Sequence, residues 1–180
     1  GYEALWNSVD GNYNSAFGQQ ALGNNDGGDG NASFGYNSLL NTDGDYNSAL
    51  GYQAGDTNIL GSKNIFIGYQ SDANVGHLYN ASAIGANSYV TQNDSLILGS
   101  INGINSATAS ARIGIGTPAP SVTFDVRGGS GTLAVGSFSG TTSFATLVSN
   151  NDGLGDLFTA SKSGRSIFTV KNNVQLTLGA

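Results

Sequence analysis

Few residue types in this chain could carry chemistry. His77 is the only histidine, Glu3 the only glutamate, and there is no Cys. Thiolate metal sites and disulfides are therefore unavailable, a His/Cys metal tetrad cannot be assembled, and no pair of glutamates can divide acid and base roles. A Ser/His/Asp set built on His77 is formally open, but DANVGHLYN is a turn-rich insert, and a solvated loop histidine is the simpler reading. A solenoid that cleaves polysaccharides needs carboxylates gathered on one face, whereas Asp26, Asp29, Asp43 and Asp45 are scattered among Gly and Asn. Asp43, Asp45 and Asn47 open like a calcium loop, yet Ser48 replaces the required glycine and Ala54 the bidentate acid. Asx turns account for these acids; a metal ion at Asp26/Asp29 or Asp43/Asp45 is the alternative. The residues thus predict a protein that is not an enzyme and needs no cofactor.

Composition narrows the class further. Gly supplies 28 of 180 residues, Pro 2, and charged residues only 10%. Such a chain is expected to fold, but around a thinner core than a typical enzyme domain. Residues 1–117 hold nine acids against Lys63 and Arg112, while 118–180 hold three acids against four bases. An acidic repeat region argues against a nucleic-acid partner. No apolar run approaches the length of a bilayer span, so no membrane insertion is expected. Gly1 lies within a repeated phrase and Met is absent, which reads as an internal piece of a longer chain.

The phrase NSALGYQAG (47–55) recurs as NSAFGQQAL, NASFGYNSL and NIFIGYQSD. Aligned on their central glycines, Gly1, Gly18, Gly35, Gly51, Gly68, Gly85, Gly99 and Gly116, the copies are spaced by 17, 17, 16, 17, 17, 14 and 17 residues. A period of this length means a solenoid, and Gly/Asn/Ser-rich phrases with short alternating stretches suit strands, not helices. The expected architecture is an all-β, parallel β-solenoid or β-roll over 1–117, with rungs of about 16–17 residues stacked about 4.8 Å apart. Each glycine reads as a corner needing positive φ or close backbone approach. The large residue before it, Phe17, Phe34, Leu50, Ile67, Ile84, Leu98 and Ile115, is expected to face inward. Asn14, Asn31, Asn47 and Asn64, four residues before the glycine, read as turn residues.

Two further columns follow the glycine. Tyr2, Tyr36, Tyr52 and Tyr69 would stack into an aromatic ladder, and Gln20, Gln53 and Gln70, with Asn37, into an amide ladder. These columns are either structural ladders and interchain contacts or an exposed binding face for a glycan or protein receptor.

Beyond Pro118 and Pro120 the phrase stops and Tyr disappears. Residues 118–180 read as a β-meander stalk, with strands TFDV, TLAV, FATLV, LFTAS, IFTVK and VQLTL. Phe124, Phe158 and Phe168 share a pattern that suggests a common interior, either a threefold axis or the core of one chain.

The N-S-A-[FLI]-G-[YQ]-[QN]-[AS] phrase over residues 1–117 resembles the head repeats of trimeric autotransporter adhesins. It resembles more closely the related repeats of phage tail fibres and large bacterial surface proteins. ARIGIGTPAPSVTFDVRG (111–128) looks like the passage, in tail-fibre-type proteins, from repeats to a stalk. The resemblance implies a left-handed β-roll and a homotrimeric fibre, extracellular, on a cell surface or virion surface. The rungs are longer than those of the adhesin heads and carry a Tyr after the glycine, so matrix binding does not transfer by residue. The expected function is a structural and adhesive segment of such a fibre, with further copies along it and a glycan or cell-surface receptor as partner. A phage tail-fibre receptor-binding segment is the near alternative. A glycan-degrading solenoid and an ice-binding solenoid are rivals of other classes, disfavoured by the missing carboxylate cluster and by the irregular spacing.

Overall fold

A computed structural model describes residues 1–127, 158–162 and 165–170. The chain forms two compact units, Gly1–Gly129 and Ser130–Ala180. All regular elements among the described residues are strands. In the first unit these are β1 (Ser15–Phe17), β2 (Ala32–Phe34), β3 (Ser48–Leu50), β4 (Ile65–Ile67), β5 (Asp72–Ala73), β6 (Ser82–Ile84), β7 (Tyr89–Val90), β8 (Leu96–Leu98), β9 (Ile113–Ile115) and β10 (Phe124–Val126). Six of them stack in the order β1-β2-β3-β4-β6-β8, all parallel, and β5 pairs with β7 on a second parallel face. The repeat is a parallel β-solenoid. Five steps of about 4.8 Å give this sheet a rise of about 24 Å.

Register is kept rung by rung: Phe17 pairs with Phe34, Phe34 with Leu50, Leu50 with Ile67, Ile67 with Ile84 and Ile84 with Leu98. The 16- and 14-residue spacings leave it undisturbed because the loops absorb the deletions. Each strand of the stack is short because the chain turns at both ends. Tyr13, Gly30, Tyr46, Lys63 and Asn80 take φ between 52° and 65° before it, and Gly18, Gly35, Gly51, Gly68 and Gly85 take φ between 122° and 149° after it. A Cβ on Gly51 would stand 2.3 Å from the carbonyl oxygen of Gly68, so the corner is closed to side chains by backbone stacking as well as by φ.

The asparagine column is not a turn column. Asn31, Asn47 and Asn64 are fully or almost fully buried, outside the positive-φ region, and bond neighbouring rungs, not their own turns. The Oδ1 of Asn31 accepts the backbone N–H of Asn47 at 2.8 Å, Asn47 does the same for Asn64 at 3.0 Å, and Asn64 for Ala81 at 2.9 Å. Their Nδ2 atoms donate to the carbonyls of Gly44, Gly61 and Leu78. A side chain that both donates and accepts satisfies an N–H and a carbonyl of the next rung at once, which a buried strand end requires.

The apolar core runs beside this ladder: Leu22, Leu39, Phe66, Ala73, Ala83 and Val90 are fully buried. The small residues three after the glycine, Ala21, Ser38, Ala54, Ser71 and Ser88, are buried too, where the rung turns tightly.

The stack ends at β8, so Gly116 and Ile115 belong to a separate sheet in which β9 pairs with β10 in parallel. TFDV is therefore a parallel strand of the first unit, not the first strand of a meander, and that unit runs past residue 117 to Gly129. The pairing continues because Ile113–Ile115 still offers an open edge and Phe124–Val126 matches its alternation. Asp125, buried in the centre of β10, accepts from Arg127 and from the Ser121 backbone and hydroxyl, and the Arg127 guanidinium holds its carboxyl well below the usual carboxylate range. In the second unit β11 (Phe158–Lys162) and β12 (Arg165–Val170) form an antiparallel pair with a bulge at Ala160/Ser161. The other expected stalk strands, TLAV, FATLV and VQLTL, lie outside the described residues. Phe124 is 59% exposed and Phe168 48%. The side chain of Phe158 lies outside the described residues.

Candidate interaction surface

A three-residue strand sends its first and third side chains to one face and its middle one to the other. In this stack the middle residues Ser33, Ala49, Phe66 and Ala83 are buried. The flanking residues face outward, which corrects the expectation for the column before the glycine. Phe17 is 72% exposed, Phe34 44%, Leu50 55%, Ile67 38% and Leu98 45%, with Ile84 half-buried and Ile115 exposed on its separate sheet. The interior of each rung is already occupied by the Asn ladder and by Leu22, Leu39 or Phe66, so only a small middle residue fits inward in most rungs. Ile65 and Leu96, two residues before Ile67 and Leu98, extend the same exposed face. The result is a flat apolar strip along the outer face of the six-stranded sheet.

The tyrosine column borders that strip. The rings of Tyr36 and Tyr52 stack with centroids 5.1 Å apart, and those of Tyr52 and Tyr69 at 5.4 Å, both pairs 13° from parallel. All three remain partly exposed, and Tyr2 is separated from them by Gln19. The amide column is continuous in backbone and broken in side chains. Gln20 donates to Glu3 at 2.7 Å and Gln70 to Gln53 at 3.0 Å, but the shorter Asn37 reaches neither neighbour, and its Oδ1 is buried without a partner. Glu3, Gln20, Asn37, Gln53, Gln70 and Asn87 all take φ between 49° and 56°. The amide column therefore marks a repeated left-handed corner occupied by residues other than glycine, of which only Asn37 and Asn87 are of a type that readily takes that geometry.

The acidic turns use their carboxylates on backbone. Asp29 accepts from the Asn12 N–H at 2.6 Å, Asp43 from Asp26 at 2.8 Å and Asp45 from Asp29 at 2.9 Å, each bridging adjacent rungs. Among the described residues no three His, Cys, Asp or Glu side chains group so as to hold a metal ion. His77 is exposed in the loop between β5 and β6. Asp72, at the start of β5, accepts from the Thr57 hydroxyl at 2.6 Å and from the Thr57 and Ala73 backbone, and burial pushes its carboxyl above the ordinary range. What the surface can do is associate: it offers apolar columns and stacked rings in a fixed lattice, with cationic groups nearly absent. The chain matches no family model, no curated protein and no solved structure.

Proposed function

We propose that this chain is a structural and adhesive segment of an extracellular homotrimeric fibre, on a cell surface or a virion. The observation that carries the reading is the apolar strip of Phe17, Phe34, Leu50, Ile67, Ile84 and Leu98 on the outer face of the solenoid. Contiguous apolar patches in repeated register mark association surfaces, and covering this one stabilises at about 25 cal/mol per Å² of apolar area removed from water. Cyclic association of identical strips satisfies all of them with one contact type, and three is the number the repeat phrase suggests by resemblance. Backbone ladders between rungs supply stiffness, so the segment serves as a spacer that presents an adhesive surface at a distance.

Light scattering on the purified chain tests this, with about three times the chain mass expected. The double variant Phe34→Asp/Leu50→Asp should shift it to one chain mass, because both positions point away from the monomer core. A wild-type monomer at micromolar concentration would overturn the trimer.

A further inference from the structure

The column one residue beyond Leu5, Leu22 and Leu39 reads Trp6, exposed, Gly23, buried, and Leu40, half-buried, on successive rungs. Gly23 leaves a notch between two large apolar side chains. A pocket of about 100 Å³ opens there, lined by Glu3, Trp6, Gln20, Gly23, Asn24 and Leu40. Its polar wall is already ordered. Gln20 Nε2 donates to Glu3 Oε2 at 2.7 Å, and Asn24 sits in an amide chain, accepting from Asn7 and donating to Asn41, both at 2.8 Å. Glu3 retains acceptor capacity beyond the Gln20 bond, and Asn24 and Gln20 keep both donor and acceptor sites. Trp6 is 71% exposed, an aromatic platform in water.

We infer that this notch is a glycan subsite that takes one neutral pyranose ring. A sugar is the ligand whose chemistry divides this way, with an apolar C–H face for the indole and ring hydroxyls that donate to a carboxylate while exchanging bonds with amides. An apolar platform with a few convergent, pre-ordered polar groups is the usual makeup of a small-ligand site. Glu3 lines the pocket, and Lys63 and Arg112 are the only basic residues in the first 117. Uronic and sialic acids are therefore excluded in favour of uncharged hexoses or N-acetylhexosamines. The site lies between rungs of one chain, so it does not depend on association and stands or falls apart from the trimer.

Trp6 is the only tryptophan, so its fluorescence reports the site without a label. Titration of the full chain with the methyl glycosides of glucose, galactose and N-acetylglucosamine, and with their disaccharides, should give a saturable change for at least one neutral sugar, with glucuronic and sialic acids silent. Gly23→Leu fills the notch. A Cβ at Gly23 would meet the flexible Leu40 Cδ1 at 2.9 Å and the Gln20 carbonyl oxygen at 3.2 Å, so the variant's fold is checked by its melt, and the response should fall at least tenfold. Trp6→Ser, followed by saturation-transfer NMR, provides a second arm at an exposed position and should also lose the sugar signal. No saturable response to any neutral sugar would overturn the assignment, as would a response that Gly23→Leu and Trp6→Ser leave intact.

Discussion

Phe66 occupies the space that Gly55 leaves empty. A Cβ on Gly55 would stand 2.6 Å from Cδ2 of Phe66 and 2.8 Å from Cδ2 of Leu39. In the preceding rungs the equivalent positions are Leu22 and Leu39, each followed one rung on by a small strand residue, Ser33 and Ala49; in this stretch the bulk moves from the corner to the strand. Gly55 keeps the left-handed φ of that corner, 68° against 50° and 47° for the two leucines. Core volume is thus conserved between neighbouring rungs, not within one column.

This exchange predicts a strong double-mutant coupling. Phe66→Ala alone should cost about 3–5 kcal/mol through the cavity it leaves. Gly55→Leu alone should also destabilise, by overpacking against Phe66. Together they recreate the Leu/Ala arrangement of the earlier rungs, and chemical denaturation of the pair should recover at least about 1 kcal/mol relative to the sum of the single changes. Simple additivity would mean the two sites do not share space.

Gly51→Val should be far more damaging than Ser48→Val, three residues earlier. The first puts a β-branched residue at φ 146° with its Cβ 2.3 Å from the Gly68 carbonyl oxygen, at a cost of about 1–3 kcal/mol for the backbone alone. Ser48 is exposed on a strand, where Val is neutral to favourable. Comparing the two melting temperatures checks this, and equal melts would refute the closed corner.

Asn47→Ala should remove one stratum of the buried ladder. The Asn64 N–H would lose its partner inside the protein, at about 1–3 kcal/mol, while the Gly61 carbonyl would keep the bond donated by Asn58 Nδ2. Hydrogen exchange should locate the damage at the Asn64 amide first. Asn24→Ala, in the exposed amide chain, should change stability by less than about 1 kcal/mol.

The raised carboxyl of Asp72 sets the direction of one pH effect. Its folded-state value lies above the unfolded one because of burial, with nearby Asp56 adding to the rise, and Asp56 is itself raised by burial. Between the unfolded and folded values the native state binds more protons, so stability increases as pH falls from neutral through this window. Asp72→Asn should flatten that slope without erasing it, since Asp56 contributes with the same sign. Urea midpoints of both proteins across the acidic side of neutrality measure the difference; a slope unchanged by Asp72→Asn would place the effect elsewhere.

Replacing Tyr36, Tyr52 and Tyr69 together by Ser should lower the melting temperature. Each of the two stacked contacts is worth about 0.5–1.5 kcal/mol beyond its buried area. A melt that stays at the wild-type value, with cell binding lost, would make the tyrosine column a receptor site in place of a structural ladder.

The sequence alone determined the parallel stack and its register, because both follow from a period: identical residues recurring every rung pair with one another whatever the side chains do. It also marked the glycine corners, since a residue repeated where the chain must bend needs no tertiary context to be read. Three things were decided only by tertiary structure. Strand polarity was one: in a strand of three residues, inside and outside differ by a single step, and a large apolar residue such as Leu50 is as well suited to an intermolecular face as to a core. The role of Asn47 was another, because turn chemistry and a buried ladder use the same amide, and only the positions of Asn31 and Asn64 above and below it distinguish them. The last was the placement of Phe66, whose bulk is accommodated by a glycine eleven residues away in the preceding rung. Periodicity is a property of the chain, whereas which side is inside depends on how much volume the other strata have left to fill.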